Sequence, residues 1–456
     1  MEINVGKMLA TASTLAPIWR LSSGMESQKS DRRLSQTIAQ KGTSLEKTTK
    51  KGGNRMNSRK IFCISAIVLM MCFFVTAGNG YTSEPGFDDR EIRIGQFGPQ
   101  TGPAATWGAV ARGSKLLFDL VNEEGGIHGR KIRYFIRDDQ YSPSQAMAAV
   151  KELVDRQGIF AFTGGVSGAG CHAVKDFIEQ NKILWVTLGS AALNPVDDPP
   201  SRYRFHSYPL FQDEASIMTK YAVEEMGFKK IGFLYQDDSF GKAGLAGCKQ
   251  RIATYKNAAL VAILPVEAKA TDLSSQILRL RNADVETIFM WVNPTLAVMA
   301  LKTAASIGYK PQWIAFNGLS EYPLMYKITD GLFEGVITST FVAAYDSTDP
   351  LLVKYRVAAK RLAPEDRWGM LFIGGIFFSE PLVEAMKRAG RDLSTEKVIN
   401  ELNKFDNWKG VGPPITWNKD RRQGTDSVLI TQCGPKGSQK VLKDWTANEL
   451  ATWKKK

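Results

Sequence analysis

The chain has 456 residues, 44% of them apolar and 23% charged, and a net charge of +13. That length is too great for one ordinary core and suits two, and the composition is that of a soluble globular protein. Residues 1–60 carry +8 of the charge and the rest of the chain only +5. The basic balance is therefore no footprint of a nucleic-acid surface, and a nucleic-acid partner is not expected.

Residues 1–55 are polar, rich in Ser, Thr and Lys, and without periodicity. They read as an over-long translation upstream of Met56, or as a disordered extension. Residues 56–80 then show a positive start (Arg59, Lys60), an uncharged run over 61–77, and small side chains at Val75 and Ala77. This is the pattern of a secretory signal peptide; a single membrane anchor is the alternative, with the run at the short limit for a span. Cys72 follows the bulky Met70 and Met71, which argues against lipid attachment. Outside this segment only Cys171, Cys248 and Cys433 remain, so at most one disulfide can form. Their spacing matches no metal motif, and buried apolar roles suit at least two of them.

From residue 90 onward strands and helices alternate. Strand-like runs at 92–95, 132–136, 159–163 and 183–187 are separated by helical patterns near 108–124, 143–156 and 171–180. A proline-rich connector at 194–209 follows. The series restarts with strands at 230–235, 260–265, 287–291 and 313–316 and helices near 212–226, 240–255, 271–282 and 294–307. A further strand at 335–340, helices near 350–362, 369–389 and 394–404, a strand at 427–432 and a Lys-rich, frayed tail complete the pattern. Such alternation predicts parallel sheets covered on both faces, and two α/β lobes whose strand ends face a common cleft.

Candidate ligand contacts lie just beyond strand ends. The run 163–170, Thr-Gly-Gly-Val-Ser-Gly-Ala-Gly, follows a strand and opens a helix. It lacks both the phosphate-loop lysine and the dinucleotide spacing, so no nucleotide cofactor is implied. Ser167 and Gly168 can form half of a carboxylate cradle, or the run is a plain tight turn. Gly189, Ser190 and Ala191 after the next strand offer further polar contacts, or small-residue packing. Trp107, in the loop before the first helix, can cover an apolar solute or plug the lobe. The catalytic inventory is thin. His128, His172 and His206 are the only histidines; His172 adjoins Cys171, but neighbours on a helix point about 100° apart and do not pair. Asp138-Asp139 and Asp237-Asp238 at strand ends read as caps and turn formers, with metal or acid–base roles the alternative. No enzyme, metal or cofactor is expected.

The segments GPQTGPAATWG, DLVNEEGGIHG, RDDQYSPSQA, TGGVSGAG, ILWVTLGSAA, YQDDSFGKAG, LKTAASIGYKPQWIAFNG and VGPPITW occur in this order over roughly 90–435. The chain so resembles the solute-binding proteins of ABC importers in the branched-chain amino-acid family. The resemblance implies an α/β fold of two doubly wound parallel-sheet lobes joined by three crossing strands, the type I periplasmic binding fold. Lobe one would span 90–207 with 340–422, and lobe two 208–339 with 423–456. It implies a periplasmic monomer that hands a small solute to ABC permease subunits. It places ligand contacts at Trp107, Ser167 or Gly168, Gly189, Ser190, Ala191, Phe240, Asn293 and Asn317. Asn317 stands where the family often has an acid, Phe211 where it has another, and Asn293 where it has an aromatic; Asp213 lies two residues past Phe211. Two ligand classes stay open: an amino acid held by Asp213 or main-chain carbonyls, or a carboxylic acid or amide without an ammonium group. A ligand-sensing receptor domain is the competing function.

Overall fold

The computed structural model describes residues 86–102, 104–190, 200–451 and 453, and these belong to one compact unit. The signal-peptide and extension readings, and Ala191, lie outside the described residues.

The first half builds β1 (Glu91–Gly98), α1 (Gly108–Glu123), β2 (Lys131–Asp138), α2 (Pro143–Asp155), β3 (Ala161–Val166), α3 (Gly168–Gln180), β4 (Leu184–Gly189) and the two-residue β5 (Arg204–Phe205). These five strands form one parallel sheet in the order β2-β1-β3-β4-β5. Both faces are covered, so β3 is buried along its whole length, as a parallel strand should be. On one face Ala146, Val150 and Leu153 of α2 and Val174 and Ile178 of α3 meet Phe97, Phe162 and Trp185 in a separate core.

The second half continues with α4 (Phe211–Lys220), β6 (Lys230–Gln236), α5 (Ser239–Ile252), β7 (Ala259–Val266), α6 (Ser274–Asn282), β8 (Thr287–Trp291), α7 (Pro294–Ser306), β9 (Gln312–Ala315), α8 (Tyr322–Ile328) and β10 (Ile337–Thr340). Then come α9 (Pro350–Leu362), α10 (Met370–Ala389), α11 (Thr395–Leu402), β11 (Ser427–Cys433) and β12 (Gln439–Ala447). The second sheet has the order β12-β11-β10-β9-β8-β6-β7. Its pairings are parallel except β10–β11 and β11–β12, which are antiparallel, so that β11 alone runs against the others. The tail expected to fray is β12: residues 439–447 pair along β11 despite their lysines, because an edge strand keeps one side in water. Neither β5 nor α8 shows in the periodicity, both being too short to carry it.

α10 returns to the first sheet and packs on α1, where Gly113 and Gly375 let the two backbones meet. The chain therefore passes between the sheets three times, after β5, after β10 and before β11. The first and third passages pair with each other: His206 N donates to Arg422 O at 2.9 Å and Gly424 N to His206 O at 2.6 Å. All three cysteines described are free and buried.

Candidate functional site

The C-terminal ends of both sheets border a cleft of about 400 Å³. From the first sheet come Trp107, Tyr141, Val166, Ser167, Gly168, Ala169, Gly189 and Ser190. From the second come Phe211, Gln236, Asp238, Ser239, Phe240, Ala268, Asn293, Pro294, Phe316 and Gly318, with Tyr208 on the first crossing.

The first wall is a main-chain device. Near the end of β3 the chain passes through Gly164 (φ +67°) and Gly165 (φ +90°), conformations that suit glycine. The β3–β4 register shifts at this point. A Cβ on Gly189 would lie 2.1 Å from Gly165 O, so the two strands approach where only glycine fits. Ser167 is held at φ +128° and caps α3, its Oγ accepting from Gly170 N at 3.0 Å. Strain of this kind on a buried serine persists where the surroundings impose it. The cap leaves the N–H groups of Gly168 and Ala169, in the first turn, without an intrahelical acceptor. A helix N-terminus with free N–H groups attracts a carboxylate.

The facing wall is built from side chains. The Phe240 ring lies 4.9 Å from Phe211 and 4.6 Å from Phe316, and Phe316 lies 6.0 Å from Phe211. Beside this apolar cluster runs a hydrogen-bonded row. Asn293 Nδ2 donates to Gln236 Oε1 at 2.9 Å and to Ala268 O at 3.1 Å, and Gln236 Nε2 donates to Asp238. Asp238 caps α5 through Gly241 N, and Asn293 caps α7 through Leu296 N. Among the described residues of the cleft, Asp238 is the carboxylate and none is Lys, Arg or His. Burial, with the charge of Asp238 added, pushes the Tyr141 phenol up.

The structure thus brings Trp107, Ser167, Gly168, Gly189, Ser190, Phe240 and Asn293 to one cleft. Asn317 stands apart from them. It is fully buried behind the wall, between the cleft residues Phe316 and Gly318, and Glu214 and Tyr208 hold its amide. Asp213 also turns away: its carboxylate accepts from Asn448 Nδ2 at 2.7 Å and Trp453 Nε1 at 2.9 Å. Its side chain does not face the cleft, so it cannot meet a ligand ammonium there. Tyr141, Tyr208, Gln236 and Gly318 escaped the sequence reading. A signal existed for Gln236, which ends a strand as Ser167 follows one; none existed for Tyr208, which lies in an irregular connector. Asp238 was legible as a cap and is also a wall residue.

The remaining candidates have structural roles. Cys171 is buried, with its thiol pushed up first by burial, whereas His172 is exposed. Burial works against Asp138, yet hydrogen bonds from Thr101, Gln100 and Gln140 hold its carboxyl down to about 2. Asp139 is pushed up to about 6 by burial and by Asp138. Among the described residues no group of His, Cys, Asp or Glu could hold a metal ion, and no helix is long and apolar enough to cross a membrane.

Residues 91–439 match the profile of a family described as periplasmic binding protein. Leu/Ile/Val-binding protein homolog 8 of Brucella abortus is 27% identical over 283 residues, which are 59% of this chain and 70% of that protein. Homolog 7 of the same organism is 24% identical over 286 residues, with the same shares. Among solved structures, a fatty acid ABC transporter substrate-binding protein from Thermomonospora curvata superposes with a TM-score of 0.72 at 22% identity, covering 82% of this chain and 96% of that one. A branched chain amino acid ABC transporter protein from Thermus thermophilus with bound valine gives 0.72 at 18% identity, covering 81% and 99%. Identities this low establish a shared type I fold and leave the solute open.

Proposed function

The chain belongs to the periplasmic binding protein family, and on that premise we propose that it is the extracytoplasmic solute-binding component of an ABC importer. It holds a small carboxylate-bearing solute with an apolar body between the two sheets, leaves it chemically unchanged, and presents it to the permease subunits. One observation carries this reading: the free N–H groups at the start of α3 and the Phe211–Phe240–Phe316 cluster border the same cleft. A carboxylate fits the first and a hydrocarbon or aromatic body the second. Relatives named as Leu/Ile/Val-binding proteins support a branched or other hydrophobic amino acid. Asp238 on the wall supports it too, since a zwitterion offers an ammonium to that carboxylate.

A second reading keeps the transport role but removes the ammonium. It is favoured by Asn317, which carries no charge and is committed to Glu214 rather than to the cleft. Thermal-shift titration decides between them. Leucine, isoleucine and valine are compared with their deaminated acids, alongside native mass spectrometry of protein taken from the periplasm. Stabilisation by the amino acids alone supports the first reading, and by the deaminated acids alone the second. Turnover of any bound compound overturns both.

A further inference from the structure

We propose that Glu214, which never touches the cleft, is a positioning residue that sets the polarity of the cleft wall through Asn317 and Tyr208, so that the grip on the solute follows its ionisation. This rests on the reading that the cleft holds the solute.

Glu214 is fully buried on α4, one turn after the wall residue Phe211. Among the described residues no cation bonds its carboxylate. It accepts from Asn317 N at 2.6 Å, Asn317 Nδ2 at 2.6 Å and Ser339 Oγ. Three donors suit an anion, which can only accept. That fixes the relay one step on. With Nδ2 turned to Glu214, Asn317 Oδ1 faces Tyr208, whose hydroxyl donates to it at 2.6 Å. The phenol's proton is then committed behind the wall. Tyr208 borders the cleft from the first crossing, and Phe316 and Gly318 border it on either side of Asn317. One carboxylate thereby holds three wall residues in place. Ser339 extends the tie to β10, where the second crossing starts.

The other ionisable groups near α4 are engaged elsewhere. Asp213 accepts from Asn448 and Trp453. Arg251 of α5 donates to Ser216, Glu449 and Asn448. Asp426, before β11, accepts from Asn448 N. His206 of the first crossing bonds Ser190 O. Tyr208 itself is held well above the usual phenol range, first by burial and then by the charge of Glu214. Burial pushes Glu214 up to about 7 against the pull of its three donors. The ionised form therefore exists above neutral pH and is lost below it. A protonated Glu214 can pass its hydrogen to Ser339 Oγ alone, since both Asn317 groups are donors. The charge that fixes the amide is then gone, and the relay slackens.

The test is isothermal titration of the purified protein at pH 5.5, 7.0 and 8.5. The probes are leucine, 4-methylpentanoate, phenylalanine and 3-phenylpropanoate, followed with whichever binds tightest. The wild-type protein should bind it at least fivefold more weakly at pH 5.5 than at pH 8.5. Glu214→Gln places an amide donor against Asn317 Nδ2 and forces that side chain to turn over; Tyr208→Phe keeps Glu214 but cuts the relay. Each variant should show less than a twofold change across the same range. Asp139, whose carboxyl burial pushes up to about 6, stays present in both variants, so they separate its contribution. A wild-type affinity independent of pH overturns the proposal. So does a Tyr208→Phe variant that keeps the full pH slope, which holds even where Glu214→Gln does not fold. Failure of all four probes to bind at any pH instead overturns the reading of the cleft as a solute site.

Discussion

The two walls of the cleft are made of different material. On the first-sheet side the polar part of the wall is built on main chain, the turn into α3 and the end of β4, with Gly165 and Gly189 pressed together and Trp107 and Tyr141 beside them. On the second-sheet side it is side chains: three phenylalanines and the row Asn293–Gln236–Asp238. A main-chain wall recognises a group common to many solutes and tolerates almost no substitution. A side-chain wall can change one residue at a time and so sets which solute fits. Damage to the first should therefore appear as lost structure, and damage to the second as altered affinity.

The sharpest break of that contrast is Gly189→Ala. Its Cβ would meet Gly165 O at 2.1 Å and the Gly165 carbonyl carbon at 3.0 Å, backbone atoms that cannot step aside. We expect overpacking to cost about 3 kcal/mol, a fall of several degrees in thermal midpoint, and loss of solute binding. Differential scanning calorimetry with circular dichroism checks this. An unchanged midpoint with normal binding would show that the β3–β4 approach has slack that the geometry does not suggest.

Phe240→Ala should do the opposite. The ring is half-buried and packs on Phe211 and Phe316 without being sealed beneath them. Its removal should weaken binding of an apolar solute by about 2 kcal/mol, roughly thirtyfold, through lost contact. The thermal midpoint of the free protein should move much less than in Gly189→Ala. A midpoint that falls as far as the affinity would mean that the aromatic wall is structural and the contrast between the walls is false.

The first wall was also the more legible in sequence, and for a physical reason. Gly164, Gly165, Ser167, Gly168 and Gly189 are local: a strand, a turn that needs glycine, and a helix start are contiguous in the chain. The longer strands and helices were readable because apolar periodicity is local too, whereas β5, α8 and β12 were not. The second wall depends on what comes together from afar. Tyr208 reaches it through the two-residue β5 and the crossing beyond, neither of which has a period to read. Asn317 looks like a ligand residue until a buried acid claims it. Glu214 looks like a polar residue on the outer face of an amphipathic helix, yet it is fully buried against Asn317 and Ser339. Only tertiary packing distinguishes such an acid from a solvated one.

A smaller effect is expected from Ser167→Ala. The hydroxyl caps α3 through Gly170 N, and loss of such a cap costs about 1 kcal/mol. Affinity for a carboxylate should fall by a similar amount, because the main-chain N–H groups stay but lose their frame. Equilibrium dialysis of a carboxylate probe alongside thermal melts would show both changes. Intact affinity with a lowered midpoint would place the serine in the scaffold alone.

The smallest effect on the cleft should come from Glu380→Gln, which makes it the control for Glu214. Glu380 is buried on α10 away from the cleft, accepting from Tyr355 Oη at 2.9 Å and Val411 N at 2.9 Å. Burial pushes its carboxyl up to about 7, like that of Glu214. A carboxyl raised from an ordinary 4.5 stabilises the fold fully below pH 4.5, and that contribution disappears as pH rises through 7. Both acids should therefore make the wild-type protein melt lower at pH 8.5 than at pH 5. In Glu380→Gln the amide oxygen can still accept from Val411 N, and its NH₂ can donate to a Tyr355 hydroxyl that has turned round. That variant should lose part of the alkaline loss of stability, of order 1–3 kcal/mol, while its affinity keeps the wild-type pH slope. If Glu380→Gln flattened the affinity profile as Glu214→Gln is expected to, pH would be acting on the solute through global stability, and the second wall would have no relay of its own.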